Sequence, residues 1–251
     1  MSLAMRIFVA VVLAVVAAPV SAQTLRTIAG NRQLGSQNEL NVRVQFAAGH
    51  LVIGRDDTGM LYRAKVVYDE ERFEPLLDYS SGDHTLTLGV EGLKGVRGKD
   101  RDGVKQELRL DVSPKVPVRF DIKFGAAEAD VDLGGLNLVR AEVNTGATDA
   151  KVRFSSPTTG RCQELTIHVG AASFRAEQLG NSRCRTITFM GGVADLALDL
   201  TGDWGDVTAA NIDVGVGMGS LTLRLPKDVG VEVEIARFLA SFDRSGFVKR
   251  D

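Results

Sequence analysis

Residues 161–174 read RCQELTIHVGAASF, and residues 183–196 read RCRTITFMGGVADL. Laid one over the other, Cys162 meets Cys184, Gly170 meets Gly192, and the apolar residues of both fall on alternate positions. Period two gives an extended chain one buried face and one wet face, whereas a helix needs apolar residues three and four apart. A chain that repeats such a unit at a fixed offset can stack the copies, each burying its apolar edge on the next.

The unit extends in both directions. Upstream of a small residue, apolar residues stand at −5, −3 and −1: Phe120, Ile122 and Phe124 before Gly125; Leu165, Ile167 and Val169 before Gly170; Ile212, Val214 and Val216 before Gly217. Downstream they stand at +4, +6 and +8: Ala129, Val131 and Leu133; then Ala150, Val152 and Phe154 after Gly146; then Leu196, Leu198 and Leu200 after Gly192; then Leu221, Leu223 and Leu225. Each unit is therefore strand, small-residue bend, strand, with bends at Gly125, Gly146, Gly170, Gly192 and Gly217. A corner pointing into a narrow interior leaves room for little side chain and favours a residue that tolerates positive φ. The spacings between bends are 21, 24, 22 and 25 residues. Two further copies are read around Ala47 (Leu51, Ile53) and Gly82 (Leu86, Leu88, Val90). The expected fold is all-β, a right-handed single-stranded β-solenoid with turns of about 21–25 residues. Cys162 and Cys184 each stand eight residues before their glycine, so they share one station on consecutive turns. Strands about 4.8 Å apart bring two cysteines within disulfide reach.

The chain has 251 residues and a formal charge of −2. It opens with Arg6, an apolar run from Ile7 to Ala18, Pro19 and the small-residue ending Val20-Ser21-Ala22. That is the pattern of a secretory signal peptide over 1–22, cut after Ala22. The expected location is periplasmic or secreted, where the cysteines would be oxidised. No transmembrane segment is expected after signal removal. Losing Arg6 takes the formal charge from −2 to −3, and the basic residues are scattered, which argues against nucleic acid as a partner. The reading places N-terminal turns and a cap at 23–90, an exposed Gly-rich charged loop at 91–106, and the regular stack with its tail at 107–251. The stretch YDEERFEPLLDYSSGD (68–83) is read as a cover for an open end or side. The tail ARFLASFDRSGFVKRD (236–251) is expected to pack on the last turn.

The stretches NVRVQFAAGHLVIG, VVYDEERFEPLLDY, GAAEADVDLGGLNLVRAEVNTGATDAKVRFS and GSLTLRLPKDVGVEVEI together resemble the toast-rack domain of bacterial proteins linked to the response to cell wall-active antibiotics. The resemblance covers about 38–251. It implies a β-solenoid of extracytoplasmic or envelope-associated proteins, some of them membrane-anchored regulators of envelope stress. Members usually continue past the position of SGFVKRD with further strands, so a chain ending at Asp251 is expected to be a shortened or truncated form.

Chemistry is sparse by comparison. Glu128, Asp130, Asp132 and Asp149 fall on the wet face and could gather on neighbouring turns, as the acidic clusters of polysaccharide-cleaving β-helices do. Lys151, Arg153, Arg175 and Arg224 share that face, so a charge-alternating surface is the favoured reading. His50, His84 and His168 show no ligand spacing, and no metal or cofactor is expected. Asp203 and Asp206 around Trp204 are too few oxygens for calcium, and Trp204 reads as a lid on its turn before a sugar platform. Gly215-Val216-Gly217-Met218-Gly219 lacks dinucleotide-loop spacing and leads into a strand. The expected function is a non-enzymatic envelope protein presenting a side or open edge to another protein, to itself or to cell-wall glycan. The alternatives are an envelope-stress sensor acting through a membrane partner and a polysaccharide-acting enzyme.

Overall fold

The structure, a computed structural model, describes residues 24–93 and 105–234. Eleven strands are described: β1 (Leu25–Gln33), β2 (Leu40–Arg55), β3 (Met60–Asp69), β4 (Phe73–Ser80), β5 (Thr85–Gly92), β6 (Glu107–Val112), β7 (Val118–Asp132), β8 (Leu138–Arg153), β9 (Glu164–Glu177), β10 (Thr186–Asp199) and β11 (Asn211–Arg224). The expected signal peptide (1–22), most of the 91–106 loop and the whole of the 236–251 tail lie outside the described residues.

Five long strands after β6 follow one another side by side, all parallel: β7, β8, β9, β10, β11, with β2 on the other flank of β7. Parallel neighbours normally require a crossover of a dozen or more residues. Here β7 and β8 are joined by residues 133–137 alone. A straight strand of that length would span about 50 Å, far beyond what five residues can bridge. Each strand must therefore fold back on itself, and the bend is where the apolar phase slips. Phe124 and Ala127 are buried while Gly125 and Ala126 between them are not. That one extra residue turns both arms of the strand toward the same core. The connectors form a third ladder: Leu133 N–H donates to Arg153 O, Phe154 N–H to Glu177 O, Thr158 N–H to Asn181 O and Gly180 N–H to Thr201 O. The all-β fold and the in-register parallel pairing of β2 and β7–β11 are thus directly visible.

The N-terminal half departs from the sequence reading at two points. Leu86, Leu88 and Val90 pair with Val42, Val44 and Phe46, so they occupy the −5, −3 and −1 columns before a bend and not the positions after Gly82. The second arm of the same rung is β6, whose Leu108 and Leu110 pair with Leu51 and Ile53. This rung is split in two, and the charged Gly-rich segment is inserted where its corner would be. Gln106, at the end of that segment, is buried. The stretch 68–83 forms a turn and strand β4, which extends the sheet antiparallel to β5 with Phe73 buried. Pro75 can stand in β4 because β5 is that strand's sole pairing partner among the described strands. Antiparallel β3 and β1 extend the other arm beyond β6.

Candidate functional site

The corners come first, because they place everything else. Ala47, Gly125, Gly146, Gly170, Gly192 and Gly217 form one column, since the residues flanking them are register partners on adjacent strands. None of the five glycines has a positive φ, and none is buried. At four of them the rung before crowds out a side chain: a Cβ on Gly125 would lie 2.6 Å from the Ala47 carbonyl oxygen, and one on Gly192 2.9 Å from that of Gly170, whereas at Gly146 the nearest atom is 3.4 Å away. Expectations of a narrow interior and of positive φ are both replaced by close approach of neighbouring backbones.

Two residues before each corner a row of polar side chains runs along the stack: Gln45, Lys123, Asn144 and His168, register partners in turn. They line an open depression of about 730 Å³ together with the corner residues Ala47, Gly125, Gly146 and Gly170 and the apolar Phe46, Val90, Phe124 and Val169. The Lys123 ammonium lies 3.2 Å from Asp121, and the Asn144 amide donates to Glu142 at 3.0 Å. These contacts orient the two heads while leaving further donors on the Lys123 ammonium and both a donor and an acceptor on the Asn144 amide. The row ends at Met190, whose sulfur lies over the Cβ position that Gly215 leaves empty. Sequence reading singled out only His168 here; the signal for the rest is their shared offset from the bend.

The acidic residues do not converge. Arg153 binds Asp130 through Nη1 and Asp132 through Nε, the latter at 3.0 Å. Burial pushes the Asp132 carboxyl up, but hydrogen bonds from Ser155, from the Gly134 and Ser155 backbone N–H groups and from Arg153 outweigh it and hold it below its usual range. Glu128 is exposed, with His50 Nδ1 at 3.8 Å from its carboxylate. Asp149 is also exposed and pairs in register with Ser173. Cations and carboxylates alternate across rungs elsewhere too, Arg140 with Glu164 at 3.2 Å and Lys151 with Glu177 at 3.3 Å. An acid pair for hydrolysis needs one carboxyl kept protonated; Asp132 is pushed the opposite way. Among the described residues no group of three or more His, Cys, Asp or Glu is placed to hold a metal ion.

Cys162 and Cys184 are bonded, with Cα atoms 4.3 Å apart, and both are buried. Beside them, Asn181 ties three connectors together: its amide donates to Phe154 O at 2.8 Å and its carbonyl accepts from Asp203 N–H at 2.7 Å. Trp204 covers this layer. Its indole N–H donates to Leu200 O at 3.1 Å, and it packs where a side chain on Gly180 would stand, so it serves as a lid. Asp203 accepts the Gly205 N–H and an Arg183 hydrogen bond, which hold its carboxyl below the usual value.

No curated protein matches this sequence. Among solved structures, one from Clostridium sporogenes described as a "putative cell adhesion protein" overlays with a TM-score of 0.61 at 15% identity, covering 80% of this chain and 99% of its own. A "putative adhesin" from Bacteroides fragilis matches at 11% identity and a TM-score of 0.33, covering 79% and 97%. The first likeness supports the all-β architecture. A family model described as the N-terminal domain of toast_rack, DUF2154, matches residues 18–177. With well over half of its length matched, the chain belongs to that family.

Proposed function

We propose that this protein is a non-enzymatic β-solenoid of the bacterial envelope, exported by its N-terminal segment, which binds an extended partner along the corner row. The reading of the repeats as right-handed solenoid turns belongs to this proposal, and it rests on the folded-back strands and laddered connectors. The observation that carries the functional part is the contrast between two surfaces. On the acidic face Arg153 occupies both Asp130 and Asp132, and Glu128 and Asp149 stand apart. On the corner, Gln45, Lys123, Asn144 and His168 recur once per rung in an open depression that Phe46, Phe124 and Val169 also line. A hydroxyl- and amide-rich polymer such as cell-wall glycan has matching hydrogen-bonding groups along its length. The name of the Clostridium sporogenes neighbour is consistent with a protein that works by attachment.

Binding of purified full-length protein to peptidoglycan and wall glycans, with mass analysis of the retained glycan, tests this. The wild type should be retained and the glycan left intact. The triple variant Lys123→Ala, Asn144→Ala, His168→Ala should lose retention while keeping its melting temperature, since these side chains lie off the core. Equal retention of the variant removes the corner row from the proposal. Progressive shortening of the glycan overturns the non-enzymatic reading and returns attention to Asp130, Asp132 and Asp149.

A further inference from the structure

The free edge of the last strand is complementary to itself. β11 pairs with β10 and with no other described strand. Leu221 and Leu223 are 41% and 37% exposed, although their register partners on β10, Leu196 and Leu198, are each 2% exposed. The described chain beyond β11 does not cover this edge. Pro226, Asp228 and Val229 line a depression with Gly202, Asp203 and Trp204, over the connector that precedes β11, and residues 225–234 pair with no strand. Unpaired strand backbone beside an apolar row invites another strand.

Hydrogen bonds at both ends of β11 fix which backbone groups are open. Asn211 N–H donates to Arg185 O, and Arg224 O accepts from Leu200 N–H, so both residues turn their backbone toward β10. Successive residues of a strand turn theirs to opposite sides. The groups facing the free edge are therefore those of Ile212, Val214 and Val216 before the bend and of Leu221 and Leu223 after it. These are the apolar columns themselves.

β11 carries two charged residues, Asp213 near one end and Arg224 at the other, and both are exposed. A second β11 laid antiparallel with Asp213 against Arg224 also sets Ile212 against Leu225, Val214 against Leu223 and Val216 against Leu221. The extra residue at the bend makes this possible, since inward residues carry even numbers before it and odd numbers after it. The apolar pairs are then the hydrogen-bonded ones. Asp213 and Arg224 meet at a non-hydrogen-bonded pair, where facing side chains stand closer. A shift of two residues either way separates them. Arg224 reaches Asp199 at 3.5 Å with its side chain still 73% exposed, which leaves it free to meet a second carboxylate. We propose that two copies of this chain pair through β11 as a two-fold dimer, antiparallel about the corner at Met218 and Gly219, with the register set by two Asp213–Arg224 ion pairs. The surface is isologous, each copy supplying both members of the pairing. Met218, 69% exposed, then lies at the axis. The dimer stands independently of the partner assigned to the corner row.

Light scattering over a dilution series, with hydrogen–deuterium exchange on the same samples, tests it. Wild-type full-length protein should show a dimer mass that falls to monomer on dilution, and the amides of Ile212, Val214, Val216, Leu221 and Leu223 should lose protection in step. Asp213→Arg and Arg224→Asp each set like charges together twice per interface and should weaken the dimer by about tenfold or more. Mixing the two variants in equal amounts should recover the dimer, because in the mixed pair every arginine faces an aspartate. Damage to the fold of either variant would not be undone by mixing. A wild-type monomer at every concentration overturns the proposal, whether its β11 amides exchange fast or are protected by other parts of the same chain. So does a dimer that both variants leave intact, which would place the contact elsewhere, and so do variants that stay monomeric when mixed.

Discussion

The two flanks of the stack use the same kinds of residue and treat them differently. On one flank, β2 is followed by the split rung of β5 and β6, and Leu86, Leu88, Leu108 and Leu110 are fully buried. On the other flank β11 offers leucines and valines in equivalent columns, and among the described strands nothing follows them. Burial in a stacked fold is therefore a property of having a neighbour on each side, not of the residue. The same difference separates the charges. Arg153 lies between the rungs of Asp132 and Glu177, whereas Arg224 on β11 faces only Asp199, at 3.5 Å.

Five measurements sharpen or break this comparison. The largest effect should come from the middle of the stack: Phe174→Ala removes a buried ring lying 6.3 Å from Phe189, and should cost about 3–5 kcal/mol in chemical denaturation. Leu198→Ala and Leu223→Ala form the matching pair across the edge. Leu198→Ala should cost about 2–5 kcal/mol, whereas Leu223→Ala, whose residue is 37% exposed, should cost about 1 kcal/mol or less in the isolated chain; equal costs would break the comparison.

Next is the disulfide. Replacing both cysteines by Ser should lower stability by about 3 kcal/mol for a loop of this length, and reductant should bring the wild type close to the same midpoint. If reductant has no effect on the wild type, the bond contributes nothing to the stack. The corners follow. Gly192→Val drives a side chain toward the Gly170 carbonyl and should cost about 1–3 kcal/mol, whereas Gly82→Ala, with open space around its Cβ position, should stay within about 0.5 kcal/mol of wild type.

The smallest effect is electrostatic. The folded Asp132 carboxyl titrates below its ordinary value of 3.8, so the stabilisation it brings is complete above the unfolded carboxyl's value. That stabilisation is lost as pH falls through the lower, folded value. Asp132→Asn should lower stability at neutral pH and flatten the acid limb of the stability curve below about pH 4. An acid limb identical to wild type would show that the Arg153 pairing contributes no pH-dependent stability.

Much of the stack was legible in advance because period-two alternation with a fixed offset has few other solutions. The Cys162–Cys184 bond followed from the same offset. The split rung was harder to read. Leu86, Leu88 and Val90 fit either arm of a unit by spacing alone, and only pairing with Val42, Val44 and Phe46 decides which. Nor could spacing show why the corners are glycine, since the atom that excludes a side chain belongs to another rung. The corner row escaped notice for a related reason: Gln45 and Lys123 are 78 residues apart in sequence but are register partners on adjacent strands.

The sequence by itself determined the all-β class, the period-two alternation along each strand and the cysteine pairing. These are local or periodic properties, and hydrophobic patterning and backbone sterics act on them within a single repeat. The tertiary structure decided which arm each N-terminal strand supplies, what each corner glycine faces, that Asp130 and Asp132 share one arginine, and which apolar columns are left uncovered. Those depend on which rung lies next to which. Adjacency is set by the total burial and backbone pairing gained over the whole stack, and no single repeat carries that information.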